Sequence, residues 1–154
     1  MTVGAGGNVA ASDVNSILNR PRFQCNFSGT IAHNSVTALT PSVANVNVGT
    51  MWTSGSTITV PTAGEYEIGI VLRYASQAST TGHRQARVHI NGSEYMSFQN
   101  PGGAGVNNTN TVVSGVIRIV LAAGDDVQFN AYQTGGVSLA LTGNNRGWVE
   151  RIIQ

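Results

Sequence analysis

The side chains that most often carry chemistry are few and scattered in this chain. Glu65 and Glu67 come closest to a catalytic pair, because residues two apart on a strand share a face and lie about 6.5 to 7 Å apart, a spacing comparable to that of paired glycosidase carboxylates. They follow the turn that ends at Gly64, on a face predicted to be exposed and without an evident pocket. The sequence therefore favours a surface role for this pair over cleavage of a polysaccharide.

The other candidates for metal or nucleophilic chemistry form no complete set. Asp125 and Asp126 follow Gly124, where a carboxylate is common in hairpin turns, and the further oxygen ligands that calcium needs do not accompany them. No nucleophile elbow, phosphate-binding loop or zinc-spaced Cys/His set occurs. The histidines are dispersed over two loops and an outward strand position: His33, His83 and His89. We predict a protein without catalytic residues, metal or cofactor.

Composition and charge narrow the class of protein further. Of the 154 residues, 41% are hydrophobic, only 10% are charged, and 19 are glycine. The length fits one domain, and the composition is typical of short strands joined by loops. Eight basic against seven acidic residues leave a formal charge of +1 without a basic block. Nucleic acid is therefore not an expected partner.

The single cysteine and the N-terminal residues indicate the cellular compartment in which the protein is made. Cys25 has no partner for an internal disulfide, so we predict a small buried residue there. The chain does not open with a basic region followed by an apolar stretch, and no later run approaches about 18 uninterrupted apolar residues. We expect a protein made in a cytosol and not inserted in a membrane.

Residues 1–21 are predicted to form an anchoring arm with a short helix, followed by a β domain at 22–154. Gly and Ala dominate residues 1–11 without periodicity. Ser12 suits the N-cap position, and Pro21 ends the helix after at most two turns. Its apolar residues fall on one side, and so short a helix should form only when that side packs on a surface.

From residue 22 onward, apolar and polar residues alternate with a period of two, which predicts β-strands. The longest regular run covers 65–74, where Tyr66, Ile68 and Ile70 alternate with polar or small residues. Eight strands are predicted in all, the others at 22–31, 57–60, 85–90, 94–99, 111–121, 126–133 and 147–153.

The links between these strands alternate in length. Successive links of an antiparallel sandwich lie at opposite ends, so the four long loops should gather at one end, opposite the three short turns and the N-terminal arm. The run Val137, Leu139 and Leu141 alternates like a strand, and would reverse the position of the C-terminus if it crossed the sandwich. The long links are 32–56, 75–84, 100–110 and 134–146, and the short ones are 61–64, 91–93 and 122–125.

The order of these signals resembles the jelly roll of complement globular heads and tumour-necrosis-factor-like proteins. The resemblance covers roughly residues 22–154 and rests on the segments TITVP at 57–61, GEY at 64–66, VHING at 88–92, AGD at 123–125 and GWV at 147–149. It implies an all-β, antiparallel jelly-roll sandwich that assembles as a homotrimer and binds other macromolecules. The chain has neither the Gly-X-Y repeat nor the heptads from which many members build a stalk.

The N-terminal arm has a resemblance of its own. Residues 7–15, with the sequence GNVAASDVN, and 19–22, with NRPR, are similar to the opening of small tail or fibre proteins of tailed bacteriophages. In those proteins a short arm precedes a jelly-roll head. The resemblance implies a virion protein, made in the host cytoplasm and docked through its arm to other virion proteins. The docking residues would be Val14, Ile17, Leu18, Arg20 and Pro21.

The strand at 111–121 is apolar on both faces, which predicts that both faces are covered. Each β-branched side chain left in water forgoes about 1.5 to 3 kcal/mol, so a second subunit should cover the outer face. The alternative is a cover supplied by the chain's own loop or arm. The predicted trimer interface comprises Val112, Val116, Val120 and Tyr132.

The long loops are the predicted surface for recognition of a host cell, through a glycan or a protein. Their Ser, Thr, Asn and Gly residues offer adaptable hydrogen bonds but few aromatic anchors, so each contact should be weak and depend on multivalency. The candidate receptor-binding residues are Ser76, Gln77, Ser79, Thr80, His83, Asn100, Asn107, Asn108 and Asn110. The alternative is that these polar loops only keep the particle soluble.

Two functional classes follow from these features. The first is a trimeric phage structural protein, either a tail or fibre head or a capsid decoration. The second is a free-standing trimeric module that binds carbohydrate or protein, and a polysaccharide depolymerase is the least favoured.

Overall fold

The chain folds into an antiparallel β-sandwich, as the sequence predicted. The computed structural model describes residues 10–77, 82–101 and 110–152. The one helix in these ranges, α1, is Ala11–Leu18. The strands are β1 (Arg22–Phe27), β2 (Thr30–Ile31), β3 (Thr37–Ala38), β4 (Pro41–Val48), β5 (Thr57–Thr59), β6 (Gly64–Tyr74), β7 (His83–Ile90), β8 (Ser93–Pro101), β9 (Thr111–Leu121), β10 (Asp126–Gln133), β11 (Leu139–Ala140) and β12 (Asn145–Arg151).

Two sheets enclose the core. Sheet A has the order β4-β1-β12-β6-β9. Sheet B has the order β3-β10-β7-β8, with β5 also paired to β10. The alternating residues of β1 and β6 point inward from sheet A, those of β7 and β10 from sheet B, and they bury each other. The core includes Phe23, Cys25, Phe27, Tyr66, Ile68, Ile70, Leu72, Tyr74, Ala86, Val88, Val127, Phe129, Ala131 and Val149.

Strand β4 was missed by the sequence analysis, which assigned all of 32–56 to a loop. It pairs with β1 along the edge of sheet A. Pro41, Asn45 and Asn47 are poor strand formers, and two register shifts against β1 break the period-two pattern. The strand forms because β1 provides a ladder of hydrogen bonds beside it. This partner cannot be predicted from the residues of β4 alone.

The links sort to the two ends of the sandwich largely as predicted. The short turns 60–63, 91–92 and 122–125 meet at what we term the turn end, where Asn91 accepts a hydrogen bond from the backbone N–H of Asp126 at 2.9 Å and donates one to the Asp125 carboxylate at 2.9 Å. The links after β6, β8 and β10 leave from the opposite end, which we term the loop end. The link at 32–56 is the exception, because β4 crosses from the loop end back to the turn end.

The alternating run at 137–141 does not cross the sandwich. Leu139 and Ala140 form β11, which pairs with β2 in a two-stranded ribbon at the loop end. The last strand, β12, therefore still runs from the loop end towards the turn end, beside β1.

Helix α1 begins one residue before the predicted N-cap. Ala10 occupies the cap position, with extended backbone and no side-chain hydrogen bond, so the prediction of Ser12 as the cap was wrong. Asn19 closes the helix by donating its N–H to the carbonyl of Asn15 at 2.9 Å. The expectation that α1 needs a surface for its apolar side remains open, since that side is exposed in the single chain.

Candidate functional site

The outer side of β9 carries an uncovered row of valines. Val112, Val116 and Val120 are 40%, 51% and 77% exposed, whereas Val113 and Leu121 on the inner side are buried. Among the described residues neither a loop nor α1 covers this row. We term these three residues the β9 stripe.

A second apolar row lies at the opposite border of the same sheet face. Val43, Val46 and Val48 of β4 stand opposite the outward-facing Asn26, Gln24 and Arg22 of β1. Val43 is 53% exposed, and the other two are half-buried. We term these residues the β4 stripe. The stripe was not predicted, because its strand was not, although the valines at 43, 46 and 48 are close together in the sequence.

The middle of this face is polar apart from one indole. The Trp148 ring lies directly on Gly69, where a Cβ atom would come within 2.0 Å of it, so only glycine admits the ring. Trp148 Nε1 donates to Glu67 Oε1 at 3.4 Å, and Arg118 pairs with the other oxygen of Glu67 at 3.3 Å. Beside the indole lies a cavity of about 250 Å³, lined by Gln24, Cys25, Asn45, Arg146, Gly147, Trp148 and Glu150.

Tyr132 lies on the other sheet. It points outward from β10, where the guanidinium carbon of Arg87 is 4.5 Å from its ring centroid and the His83 ring centroid lies at 5.6 Å. Its hydroxyl donates to Asn34 Oδ1 at 2.6 Å. Tyr132 therefore does not share a surface with the β9 stripe, and only a contact that joins different faces of two subunits would include both.

The predicted docking residues divide into two groups. Val14, Ile17 and Leu18 are exposed along one side of α1. Arg20 instead pairs with Glu150 at 3.7 Å, and the carbonyl of the buried Pro21 accepts the N–H of Arg151 at 2.9 Å. The second group fastens the arm to β12 at the turn end and leaves the helix as the free surface.

The predicted receptor-binding residues at the loop end are largely engaged with the chain itself. Asn110 accepts the N–H of Ser76 at 3.0 Å, and Asn100 donates to the carbonyl of Val112 at 2.9 Å. Gln77 donates to the carbonyl of Gly135, and the His83 N–H bonds Thr134 Oγ1 at 2.9 Å. These bonds shape the loops and leave little of Gln77 for a ligand. Ser79, Thr80, Asn107 and Asn108 lie outside the described residues.

A buried arginine lies under the loop end, and the sequence analysis did not single it out. Arg84 is 2% exposed, with NH2 donating to Gln77 Oε1 at 2.8 Å and NH1 to the His83 carbonyl at 3.2 Å. Its Nε has no partner within the described residues, and burial lowers the pKa of the guanidinium. The only signal in the sequence was a charged residue at an inward position of β7.

The groups considered for catalysis are spread over the molecule. Glu65 and Glu67 lie on the outer face of sheet A, where Glu67 is held by Arg118 and Trp148. Burial raises the pKa of the Cys25 thiol to about 12, against a smaller lowering by a hydrogen bond with the Gly147 backbone, so the thiol is not nucleophilic near neutral pH. The part of the chain that the structure describes contains no group of three His, Cys, Asp or Glu residues placed to hold a metal ion.

Within the same ranges, no helix has the length and apolar character to span a membrane.

Solved structures similar to this chain in three dimensions include a complement domain and murine APRIL. The globular domain of zebrafish complement 1qA protein aligns with a TM-score of 0.60 and 15% identity, over 88% of this chain and 98% of that domain. Murine APRIL, crystallised at pH 8.0, aligns with a TM-score of 0.56 and 14% identity, over 85% of this chain and 98% of that one. The fold is a jelly roll of this type. No family model matches the sequence, and no curated protein does.

Proposed function

We propose that the protein is a trimeric structural component of a bacteriophage particle, a tail or fibre head or a capsid decoration. It docks through α1 and presents its loop end to the host surface. The observation that carries the proposal is that the arm and the links after β6, β8 and β10 lie at opposite ends of the molecule. The arm is fastened at the turn end by Arg20 and Pro21, and the links after β6, β8 and β10 leave from the opposite end.

Docking through α1 is supported by the helix surface. Its apolar side exposes Val14, Ile17 and Leu18 together, and none of them belongs to the core of the sandwich. An isolated helix of eight residues is marginal in water, so a partner that buries this side would also stabilise the helix. The resemblance of residues 7–15 and 19–22 to phage tail and fibre proteins supports a phage particle as that partner.

Trimerisation is supported by the two valine stripes. They lie at opposite borders of one sheet face, on β9 and on β4. A head-to-tail contact places the β9 stripe of one copy against the β4 stripe of the next, and such contacts close into a ring when the rotation permits. Burying three valines on each side offsets the loss of rotational freedom on assembly, at about 1.5 to 3 kcal/mol for each fully buried side chain.

The second candidate is a free-standing module that binds carbohydrate. It is favoured by the cavity beside Trp148, where an indole adjoins the amide, carboxylate and guanidinium groups of Gln24, Glu150 and Arg146. Such a mixture of a flat apolar surface with hydrogen-bonding groups suits a sugar ring. A module of this kind has no need of an apolar docking helix.

Variants of α1 separate the two candidates. The double change Ile17→Gln and Leu18→Gln removes the apolar side without adding charge, and Ser12→Gln with Asn15→Gln is the matched change at other exposed positions. We expect the first variant to keep its trimeric mass but to fall at least tenfold in purified particles, measured by immunoblot, while the control is incorporated normally. Normal incorporation of the first variant, or no copurification of the native chain with particles, would contradict the proposal.

A further inference from the structure

The carboxylates of the chain are gathered away from the loop end. The sequence has seven Asp and Glu residues, and the structure describes the side chains of six of them. Asp13 lies in α1, which leads into the turn end, and Glu65 and Glu67 lie in the first half of β6. The remaining four lie in or beside the short turns and at the end of β12: Glu94, Asp125, Asp126 and Glu150.

The loop end carries cations instead. Arg73 stands one residue before the end of β6, Arg84 one residue after the start of β7, and Arg146 one residue after the start of β12. The ion pairs of the described residues are Arg20–Glu150, Arg87–Glu94 and Arg118–Glu67, which involve none of these three. The undescribed stretches 78–81 and 102–109 contain no acidic residue. The loop end thus holds three arginines and no described carboxylate, while the described carboxylates lie in the other half of the fold together with Arg20, Arg22 and Arg151.

Arg73 and Arg146 form an adjacent pair on the outer face of sheet A. Arg146 stands opposite Val71, so Arg73 is its diagonal neighbour on the same face, at about 7 to 8 Å between Cα atoms. Both side chains are exposed. Arg73 also stands opposite Val112, at the loop-end limit of the β9 stripe. A trimer formed through that stripe would bring three copies of this pair to one end of the assembly.

Arg84 adds a charge that the fold does not neutralise. Burying a guanidinium without a carboxylate is costly, and its uncharged hydrogen-bond partners compensate only in part. Gly135 covers it so closely that a Cβ atom there would lie 2.8 Å from Arg84 NH2. Gly136, the next residue, is exposed. The charge thus lies directly under the surface of the 134–138 turn, where little solvent screens its field.

We propose that the loop end binds an acidic polysaccharide, with carboxylate or phosphate groups of the polymer contacting Arg73 and Arg146 and Arg84 contributing to the positive potential. Arginine suits this role because its planar guanidinium pairs with both kinds of anion in a bidentate manner. The inference rests on the proposed function in one respect only, that the loop end is the surface presented to the host.

The small number of cations argues for a polysaccharide over a nucleic acid. Although a trimer would bring nine guanidinium groups to its loop end, the chain has a net charge of only +1 and no block of basic residues to follow a duplex backbone. The described residues of the loop end include Ser76, Asn100 and Asn110, and amides and hydroxyls of this kind suit sugar hydroxyl groups. Multivalent display of weak sites compensates for their individual weakness.

The test measures binding of the full-length protein to immobilised polymers by biolayer interferometry, at low and at moderate salt. The probes are polygalacturonate, which carries carboxylates, a glycerol-phosphate polymer, neutral dextran and duplex DNA. We expect binding to at least one of the two acidic probes, at least tenfold stronger than to dextran or DNA and weakened at least fivefold by the added salt. The two acidic probes show which anion is preferred.

Variants locate the site. Arg73→Gln with Arg146→Gln should lower the affinity at least tenfold, and Arg22→Gln, an arginine on the same sheet face at the turn end, should change it less than twofold. Asn144→Asp provides an independent route, since it places a carboxylate at an exposed position beside Arg73 and Arg146 with almost no change of shape. It should also weaken binding, and covers the case in which the double variant does not fold.

Equal binding to dextran, tighter binding to DNA, or an equal loss with Arg22→Gln would overturn the inference. Its failure is distinguishable from failure of the proposed function. A protein that sediments as a trimer and enters particles through α1, yet ignores acidic polymers, retains the structural role and loses only this ligand.

Discussion

At the scale of single residues, Cys25 shows how the core controls an ionisable group. The thiol is 1% exposed at the centre of β1, and burial is the main cause that raises its pKa to about 12 from an ordinary value of 9.0. The folded state therefore keeps a proton that the unfolded chain loses. The resulting contribution to stability is complete below pH 9 and is lost as the pH rises towards the folded value of about 12.

Replacing Cys25 should consequently change how stability depends on alkaline pH. Cys25→Ala leaves a small cavity that costs the same at every pH, but it removes the titrating group. We expect the native protein to lose more free energy of unfolding than the variant between about pH 8.5 and 11, because thiolate formation favours the unfolded state. Denaturant titrations at both pH values measure this, and parallel losses in the two proteins would show that the thiol is not protected by folding.

Arg84 is a second ionisable residue in the interior, and unlike Cys25 it carries a charge there. An apolar side chain would fill its inward position on β7 without the cost of an unpaired charge. Locally unfavourable residues that persist in a fold often mark a function. For Arg84 that function is the potential of the loop end, since its bonds to Gln77 and His83 are to uncharged groups.

At the scale of elements, strand β9 is defined by the contrast between its two sides. The inner side belongs to the core, while the outer side presents the β9 stripe to solvent. Three aligned β-branched residues that are exposed in the single chain are expected to be covered by a second subunit in the assembly. In the proposed trimer the strand serves the fold through one side and assembly through the other.

A single charge in the stripe should separate these two roles. Val116→Arg places a guanidinium at the centre of the proposed interface, whereas Val137→Arg makes the same change at a residue of similar exposure, 55% against 51%, in the turn after β10. We expect sedimentation to give a monomer for Val116→Arg and a trimer for Val137→Arg. Both changes should leave the fold of the single subunit intact, because both side chains lie at its surface. A Val116→Arg protein with unchanged trimer mass would exclude β9 from the interface.

At the scale of the whole molecule, the positions of the two stripes indicate the symmetry of the proposed assembly. A twofold contact would pair each surface with its own copy, whereas a head-to-tail ring pairs two different surfaces. The β9 and β4 stripes are different surfaces at opposite borders of sheet A.

Mixing two defective subunits tests this geometry. Val43→Arg damages the β4 stripe and keeps the β9 stripe intact, and Val116→Arg does the reverse. Each variant alone should be monomeric, but an equimolar mixture can form one sound contact between the intact stripes. We expect sedimentation of the mixture to reveal a one-to-one dimer. A mixture that stays monomeric would argue that the two stripes do not contact each other.

Local signals in the sequence determined the strands and their turns. The alternation in β1, β6 and β7 follows from the two-residue repeat of an extended chain, which needs no knowledge of neighbours. Asn91 and Gly92 adopt positive φ values of 50° and 79°, as a two-residue hairpin requires, and that pair was readable as a turn. The doubly apolar strand at 111–121 was likewise visible, because its surplus of valines is a local property.

Only the tertiary structure decided what depends on distant partners. Strand β4 exists because β1 provides hydrogen bonds across the sheet edge, so the second stripe could not be predicted from residues 41–48 alone. The gathering of carboxylates at the turn end, and of Arg73, Arg84 and Arg146 at the loop end, arises when strands of alternating direction are laid side by side. Charge along the chain is nearly balanced, and only folding brings these three arginines to one end, because antiparallel pairing converts sequence position into position along one axis.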